Sequence, residues 1–164
     1  MISAEAETLL AFHNNQRQHV QGILEGLSEA DLRRPVLPSG WSCLGLVRHL
    51  ALDVERSWFR AVIAGDRAVI DDLDRAGDSW RVGPEESAES VLDDYRRQIE
   101  AADAVIAATP MDAAPVWWPG RFAEWRLRTV REVFLHVITE TACHAGHLDA
   151  ARELLDGRRW LVLS

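Results

Sequence analysis

The stretch Thr129–Gly157, TVREVFLHVITETACHAGHLDAARELLDG, restricts the fold more than any other part of the chain. Thr129 followed by Glu132 forms a capping box, which satisfies two backbone N–H donors at a helix start. Gly157 stands where a helix normally ends. Between them Val130, Phe134, Val137, Thr141, Leu148 and Leu155 recur at helical spacing and predict one long helix with a buried stripe. The stretch also carries three of the six histidines, with Glu140 in their midst. At about 100° per residue, His144 falls roughly 20° from Val137, near the middle of the stripe, and Glu140 flanks it one turn earlier. An ionisable pair on a core-facing surface is costly unless something compensates it, and a metal ion would.

A helix of this kind must bury its stripe against other helices, and the rest of the chain supplies three. Residues 3–27 read as a helix capped by Ser3, with Glu5 and Glu7 in its first turn. Leu9, Phe12 or His13, Gln16, Val20, Ile23 or Leu24, and Leu27 carry its period. Ser28–Asp31 reads as a short capped turn, and Arg34–Trp41 as a loop, broken by two prolines and a Ser-Gly pair. A second long helix is expected over Ser42–Ala64, ending at Gly65, with Leu46, Leu50, Val54, Trp58 and Ala61 inward. Asp66–Pro84 is polar and acidic and is expected to be irregular apart from one short turn. A third helix is expected over Glu85–Ala108, with Val91, Tyr95, Ile99, Ala102 and Ile106 inward. Thr109–Leu127 has no helical period, and a connection that long is functional or a crossover. Four amphipathic helices without a strand pattern predict an all-α four-helix bundle, a single domain over residues 1–164.

Composition narrows the function. The net charge of −8, from 18 basic and 26 acidic residues, gives a nucleic-acid partner no electrostatic help. No apolar run approaches the ~20 residues that span a membrane. The acidic start MISAEAET is unlike a signal peptide, and two cysteines make no disulfide framework, so a reducing cytoplasm is expected. All 18 basic residues are arginine, which points to a GC-rich genome, with actinobacteria the obvious candidates.

Glu140 and His144, four residues apart, share one helix face in the spacing by which two side chains hold one metal. In a bundle the third ligand comes from a facing helix, and His49 is the best choice. Asp53, four residues on, would orient its ring or serve as a weaker extra ligand. Two imidazoles and one carboxylate leave coordination positions open, as in catalytic zinc sites, although nickel or iron(II) also suits this donor set. A lone histidine on a helix is more often hydrogen-bonded structure, which is the expectation for His13 and His19. His136 and His147 lie on the polar shoulder of the last helix and read as surface residues. The helical wheel sets His49 at the edge of its apolar face, which counts against it as a ligand. Cys143 points away from Glu140 and His144 and is read as structural. Trp117, Trp118 and Arg121 read either as a lid over a cleft or as packing at the bundle end.

The runs HLALDVERSWFR, His49–Arg60, and HVITETACHAGHLDAARELLDG, His136–Gly157, with the preceding Gly40–Ser42, resemble the DinB-like superfamily. More narrowly they are similar to its actinobacterial branch, close to the N-terminal domain of mycothiol-dependent maleylpyruvate isomerase. The resemblance covers nearly the whole chain in helix order and spacing. It implies an up-down-down-up bundle, and a metal triad that falls by position on His49, Glu140 and His144. It puts His147 beside the metal, to orient a ligand or transfer protons. The isomerase has a further C-terminal domain that does not follow Ser164 here, so its isomerisation is not carried over. Use of a thiol such as mycothiol is.

The expected function is therefore that of a zinc-dependent thiol transferase acting on an electrophilic small molecule. His147 or Asp53 would manage protons, and Arg121 and Trp118 would contact the cofactor or an anionic group. Two alternatives use the same ligands: a hydrolase with metal-activated water, and a non-catalytic stress or interaction protein. Related bundles often dimerise, and exposed apolar residues on the first and third helices would serve that purpose.

Overall fold

The computed structural model describes residues 2–73, 75 and 77–160, and among them all regular structure is helical. The helices are α1 (Ala4–Leu24), α2 (Glu29–Arg33), α3, α4 (Arg67–Leu73), α5 (Ala88–Ala108) and α6 (Val130–Asp156). α3 opens as Cys43–His49 and continues without a break through Leu50–Ile63 in wider, π-helical turns. Five of the starts use one device. Ser3, Ser28, Ser42, Ser87 and Thr129 each place a side-chain oxygen to accept the N–H three residues on. Such a cap is worth about 1 kcal/mol and explains why the boundaries fall at hydroxyl residues. At α6 the Glu132 carboxylate turns back to the N–H of Arg128 rather than Thr129, so the capping box is shifted by one residue. Gly157 ends α6 at φ 81°, its N–H donating to the Glu153 carbonyl.

Contacts between helices settle their directions. Glu5 pairs with Arg131, His19 with Asp149, and Arg152 donates to the Ile23 carbonyl, so α1 and α6 run parallel. His49 meets His144 and Trp58 meets His136, so α3 and α6 are antiparallel. Arg48 bonds Glu86 just ahead of α5, while Glu55 and Asp103 both reach Arg17, so α3 and α5 are parallel. The bundle is thus up-down-down-up, and the parallel middle pair explains the long connection over residues 66–87. That connection is more ordered than expected. Asp66 Oδ1 accepts the N–H groups of Ala68 and Val69 and starts α4, whose Val69 and Ile70 pack on Ala61 and Trp117. With only two buried apolar residues, α4 owes its helicity to this docking rather than to a visible period.

The expected inward faces are buried, with Leu9, Gln16, Leu27, Ile99 and Leu155 only partly so. α1 departs most. Phe12 is 61% exposed, whereas His13 and Arg17 are fully enclosed. The reason lies on α3, where Glu55 is buried among apolar side chains and demands partners. Arg17 supplies a two-pronged bond to it, Nε to Oε1 at 2.8 Å and a terminal nitrogen to Oε2 at 2.7 Å, and His13 Nε2 lies 2.9 Å from Oε1.

The π-helical half of α3 begins directly after the site histidine. Ser57 Oγ donates to the Leu52 carbonyl and the Ala64 N–H to the Phe59 carbonyl, both five residues back. Such turns are rare and gather at functional sites. Packed by α4, α5 and α6, this half is buried nearly all round, which a single apolar stripe on an α-helical wheel does not describe. Beyond it, Gly65 adopts φ 68°, and a Cβ there would lie 2.4 Å from Val116. The close approach lets the Val116 and Trp117 N–H groups reach the Ile63 and Val62 carbonyls, pinning the connection over residues 109–129 to α3.

Candidate metal centre

The antiparallel crossing of α3 and α6 brings three expected residues together. Glu140 Oε1 lies 3.4 Å from His144 Nε2 and 3.9 Å from His49 Nε2, and the donor atoms of the three side chains all lie within 4.8 Å of one another. Donors around tetrahedral zinc, with bonds near 2.0–2.1 Å, stand roughly 3.4 Å apart, so a small contraction would accommodate an ion. A second observation supports the fit. His49 Nε2 is buried and has no hydrogen-bond partner. A buried polar atom left in that state costs about 1–3 kcal/mol, and an ion at the centre of the three donors would remove the penalty. Imidazole nitrogens with a carboxylate suit zinc, nickel or iron(II).

The surroundings hold both rings in register. Asp53 Oδ2 bonds His49 Nδ1 at 3.0 Å, which places the proton on Nδ1 and leaves the Nε2 lone pair facing the centre. The same carboxylate oxygen accepts a bond from Ser79 Oγ. Trp80 stacks on the His49 ring, centroids 4.3 Å apart and planes at 17°. Both residues ride on the segment before α5, which can approach α3 because position 45 is glycine: a Cβ there would lie 2.1 Å from the Trp80 carbonyl oxygen. On the other side His147 Nδ1 is 3.3 Å from His144 Nδ1, and Trp41 packs over His147. The Gly40–Ser42 motif thus ends beside the site, with Ser42 capping α3.

Electrostatics follow from these contacts. Burial disfavours a charged His49, but Asp53 and the Glu140 carboxylate outweigh it and raise its pKa. His144, then His49, hold the Glu140 carboxyl far below the usual carboxylate range against the opposing effect of burial. Burial likewise acts to raise Asp53, yet the bonds from His49 and Ser79 prevail and its pKa is lowered. Such pKa displacements gather where function requires them.

Beside the three residues opens a pocket of about 360 Å³, with His49, Asp53 and Glu140 in its lining. Trp58, Phe122 and Trp125 form its aromatic walls, and His136 and Arg121 complete it. His136 is therefore no plain surface residue. It is half-buried, 4.7 Å from Trp58 and 5.5 Å from Trp125 between centroids, with Nε2 3.8 Å from Glu140, and burial lowers its pKa. Its position four residues before Glu140 was the available sequence signal. Arg121 reaches the pocket, whereas Trp118 does not line it. The Trp118 indole N–H donates to the Trp125 carbonyl, and its ring braces Trp58, Phe122 and Trp125. Trp117 packs beneath α4, and Cys143 is an exposed free thiol. Ser79, Trp80, Phe122 and Trp125 had no pattern to reveal them, because each lies in a connection. No described helix is long and apolar enough to cross a membrane.

No curated protein and no solved structure gives a match to the chain. The family model of the mycothiol S-transferases matches residues 8–157, which takes in the four long helices apart from the first turn of α1, the three clustered donors and the pocket beside them, and the chain belongs to that family.

Proposed function

We propose that the protein is a metal-dependent S-transferase that joins a mycothiol-type thiol to an electrophilic small molecule. The observation that carries this reading is the buried, unpartnered His49 Nε2 facing Glu140 and His144 in a chain of this family. His49, Glu140 and His144 would hold the ion, zinc being the first choice. A divalent cation in that position supplies Lewis acidity, which deprotonates a coordinating thiol near neutral pH.

The chain's own residues do the rest. Asp53, ionised and bonded to Nδ1 of His49, keeps that ring in the ligating tautomer. His147, exposed and in contact with Nδ1 of His144, fixes the second ring and offers a route by which the thiol proton reaches water. The sulfur–carbon bond then forms as the substrate's leaving group departs with its electron pair. Trp58, Phe122 and Trp125 would give the electrophile an apolar face to lie against. The three donors would equally serve a hydrolase, and family membership favours sulfur over water as the incoming group.

The test combines metal content, spectroscopy and turnover. The protein should hold about one zinc per chain by elemental analysis, and His49→Ala should lose it. In cobalt-substituted protein, mycothiol should add a sulfur-to-cobalt charge-transfer band, and zinc protein should conjugate mycothiol to a fluorogenic alkyl halide. A metal-loaded protein whose spectrum mycothiol leaves unchanged would sink the reading.

A further inference from the structure

We propose that the pocket beside the donor cluster seats the electrophile and selects a flat, aromatic or conjugated carboxylate. This rests on the reading above, that His49, Glu140 and His144 hold a divalent cation.

Shape comes first. A volume of about 360 Å³ sits near the small end of the roughly 300–1,000 Å³ usual for ligand pockets, so the occupant is compact. The Trp58 and Phe122 rings are parallel within 8° at 5.7 Å, and Trp125 stands edge-on to both, at 89° and 81°. Trp125 remains 45% exposed, an indole with much of its apolar surface uncovered. Walls of this kind favour planar π systems, which gain from stacking and edge contacts, over saturated rings of equal size. The walls are held together deliberately. Phe122–Ala123–Glu124–Trp125 is a type II′ turn, with Ala123 at φ 49°, ψ −118° and the Trp125 N–H donating to the Phe122 carbonyl at 3.0 Å. A non-glycine residue in that conformation is strained, and what the strain achieves is the juxtaposition of two aromatic walls.

Charge comes second. The carboxylates at the inner end are engaged, Asp53 by His49 and Ser79, Glu140 by the two histidines. A divalent cation offsets both. Arg121, whose charge reaches Asp53 without forming an ion pair with it, is then the cation left to meet an incoming anion. Its guanidinium lies 5.0 Å above the Phe122 ring, and among the described residues no carboxylate comes within ion-pair distance of it. A guanidinium oriented on an aromatic face and without an ion-pair partner is suited to bidentate capture of a carboxylate. Such a substrate would lie along the aromatic walls with its acid group outward on Arg121 and its reactive carbon inward, toward the sulfur.

Calorimetric titration of the full-length zinc protein with 2-naphthoate, neutral 2-naphthylmethanol and cyclohexanecarboxylate tests both claims. 2-Naphthoate should bind about tenfold tighter than either analogue, the advantage of one charge-assisted contact or of one stacked ring system. Arg121→Gln should abolish the preference for the acid over the alcohol and leave the alcohol's affinity unchanged. Trp125→Ala should weaken acid and alcohol alike, by about threefold or more. Both positions are exposed, so neither variant threatens folding. An acid that binds no better than the alcohol, or a preference that survives Arg121→Gln through direct ligation of zinc, overturns the proposal. Zinc content is measured on the same samples. A chain that holds no zinc defeats the metal reading and with it the charge argument, whereas a zinc-loaded chain without the acid preference defeats the pocket proposal alone.

Discussion

Arg17→Met tests the most demanding feature of the core. Arg17 and Glu55 have side chains 2% and 1% exposed, so solvent screens neither. The guanidinium makes two bonds to the Glu55 carboxylate and one each to Asn14 and Asp103, at 2.7–2.8 Å. Asp103 is 39% exposed, so its pairing contributes little, well under about 1 kcal/mol. The loss that matters is at Glu55, which would keep only the His13 N–H. Removing one partner of a buried ion pair costs about 3–5 kcal/mol. In a chain of this size each kcal/mol lowers Tm by roughly 2–4 °C, so the melting temperature should fall by about 6–20 °C. The double variant Arg17→Met, Glu55→Met should recover half of that or more, because an apolar pair of similar volume is often as stable as the ions it replaces.

The pH dependence provides a second check on the same network. Burial acts to raise the Glu55 carboxyl, but Arg17 and then His13 hold it down at about 2. A depressed carboxyl lends stability that is complete above its unfolded value of 4.5 and is lost as pH falls toward 2. Burial also lowers the pKa of His13, so below the ordinary histidine value of 6.5 the unfolded chain takes up a proton that the folded chain does not. Both effects weaken the wild type on acidification. Arg17→Met removes the first of them and should flatten the curve between pH 4.5 and 2. A thermal midpoint within about 3 °C of wild type, with an unchanged acid limb, would mean that the Arg17–Glu55 pair does not hold the core together.

Asp53→Asn keeps the size of the side chain but not the charge that fixes the His49 tautomer, and should weaken zinc binding by about 10–100-fold in a chelator competition without unfolding the bundle. Zinc affinity should fall as pH drops, beginning above 6.5, because the raised His49 pKa lets protons compete with the metal early; a flat profile between pH 8 and 6 by competition titration would contradict it. Ala123→Gly should raise stability by about 1 kcal/mol in urea melts, since glycine adopts the Ala123 backbone conformation without strain. Gly45→Ala should instead displace the Trp80 carbonyl from α3 and lower zinc affinity while the helix content by circular dichroism stays near wild type.

Much of the fold can be read from local patterns because its boundaries are written locally. Each of the five capping hydroxyls precedes its helix by one residue, and Gly65 and Gly157 mark two ends, so the capped helices follow from punctuation and period, whereas α4, which has no capping hydroxyl and no visible period, does not. The pairing of Glu140 with His144 is likewise local, since four residues along one helix face are always neighbours. His49 is another matter. An α-helical wheel leaves it at the edge of its face, and only the antiparallel crossing of α3 and α6 sets its Nε2 opposite Glu140. His136 was on the right face at the right spacing, but its burial depends on Trp125, whose position no periodicity predicts.

Local patterns thus account for the four long helices, most of their apolar faces outside α1, and the two donors that share α6. Whatever requires two distant segments to meet emerges only on packing: Glu55 enclosed by α1, the wide turns of α3, Trp80 stacked on His49, and an aromatic pocket assembled from a connection with no period of its own. The physical reason is range. Capping and helical spacing act over four residues or fewer, whereas burying an ion pair or orienting a ligand ring takes the desolvation and packing of the whole bundle.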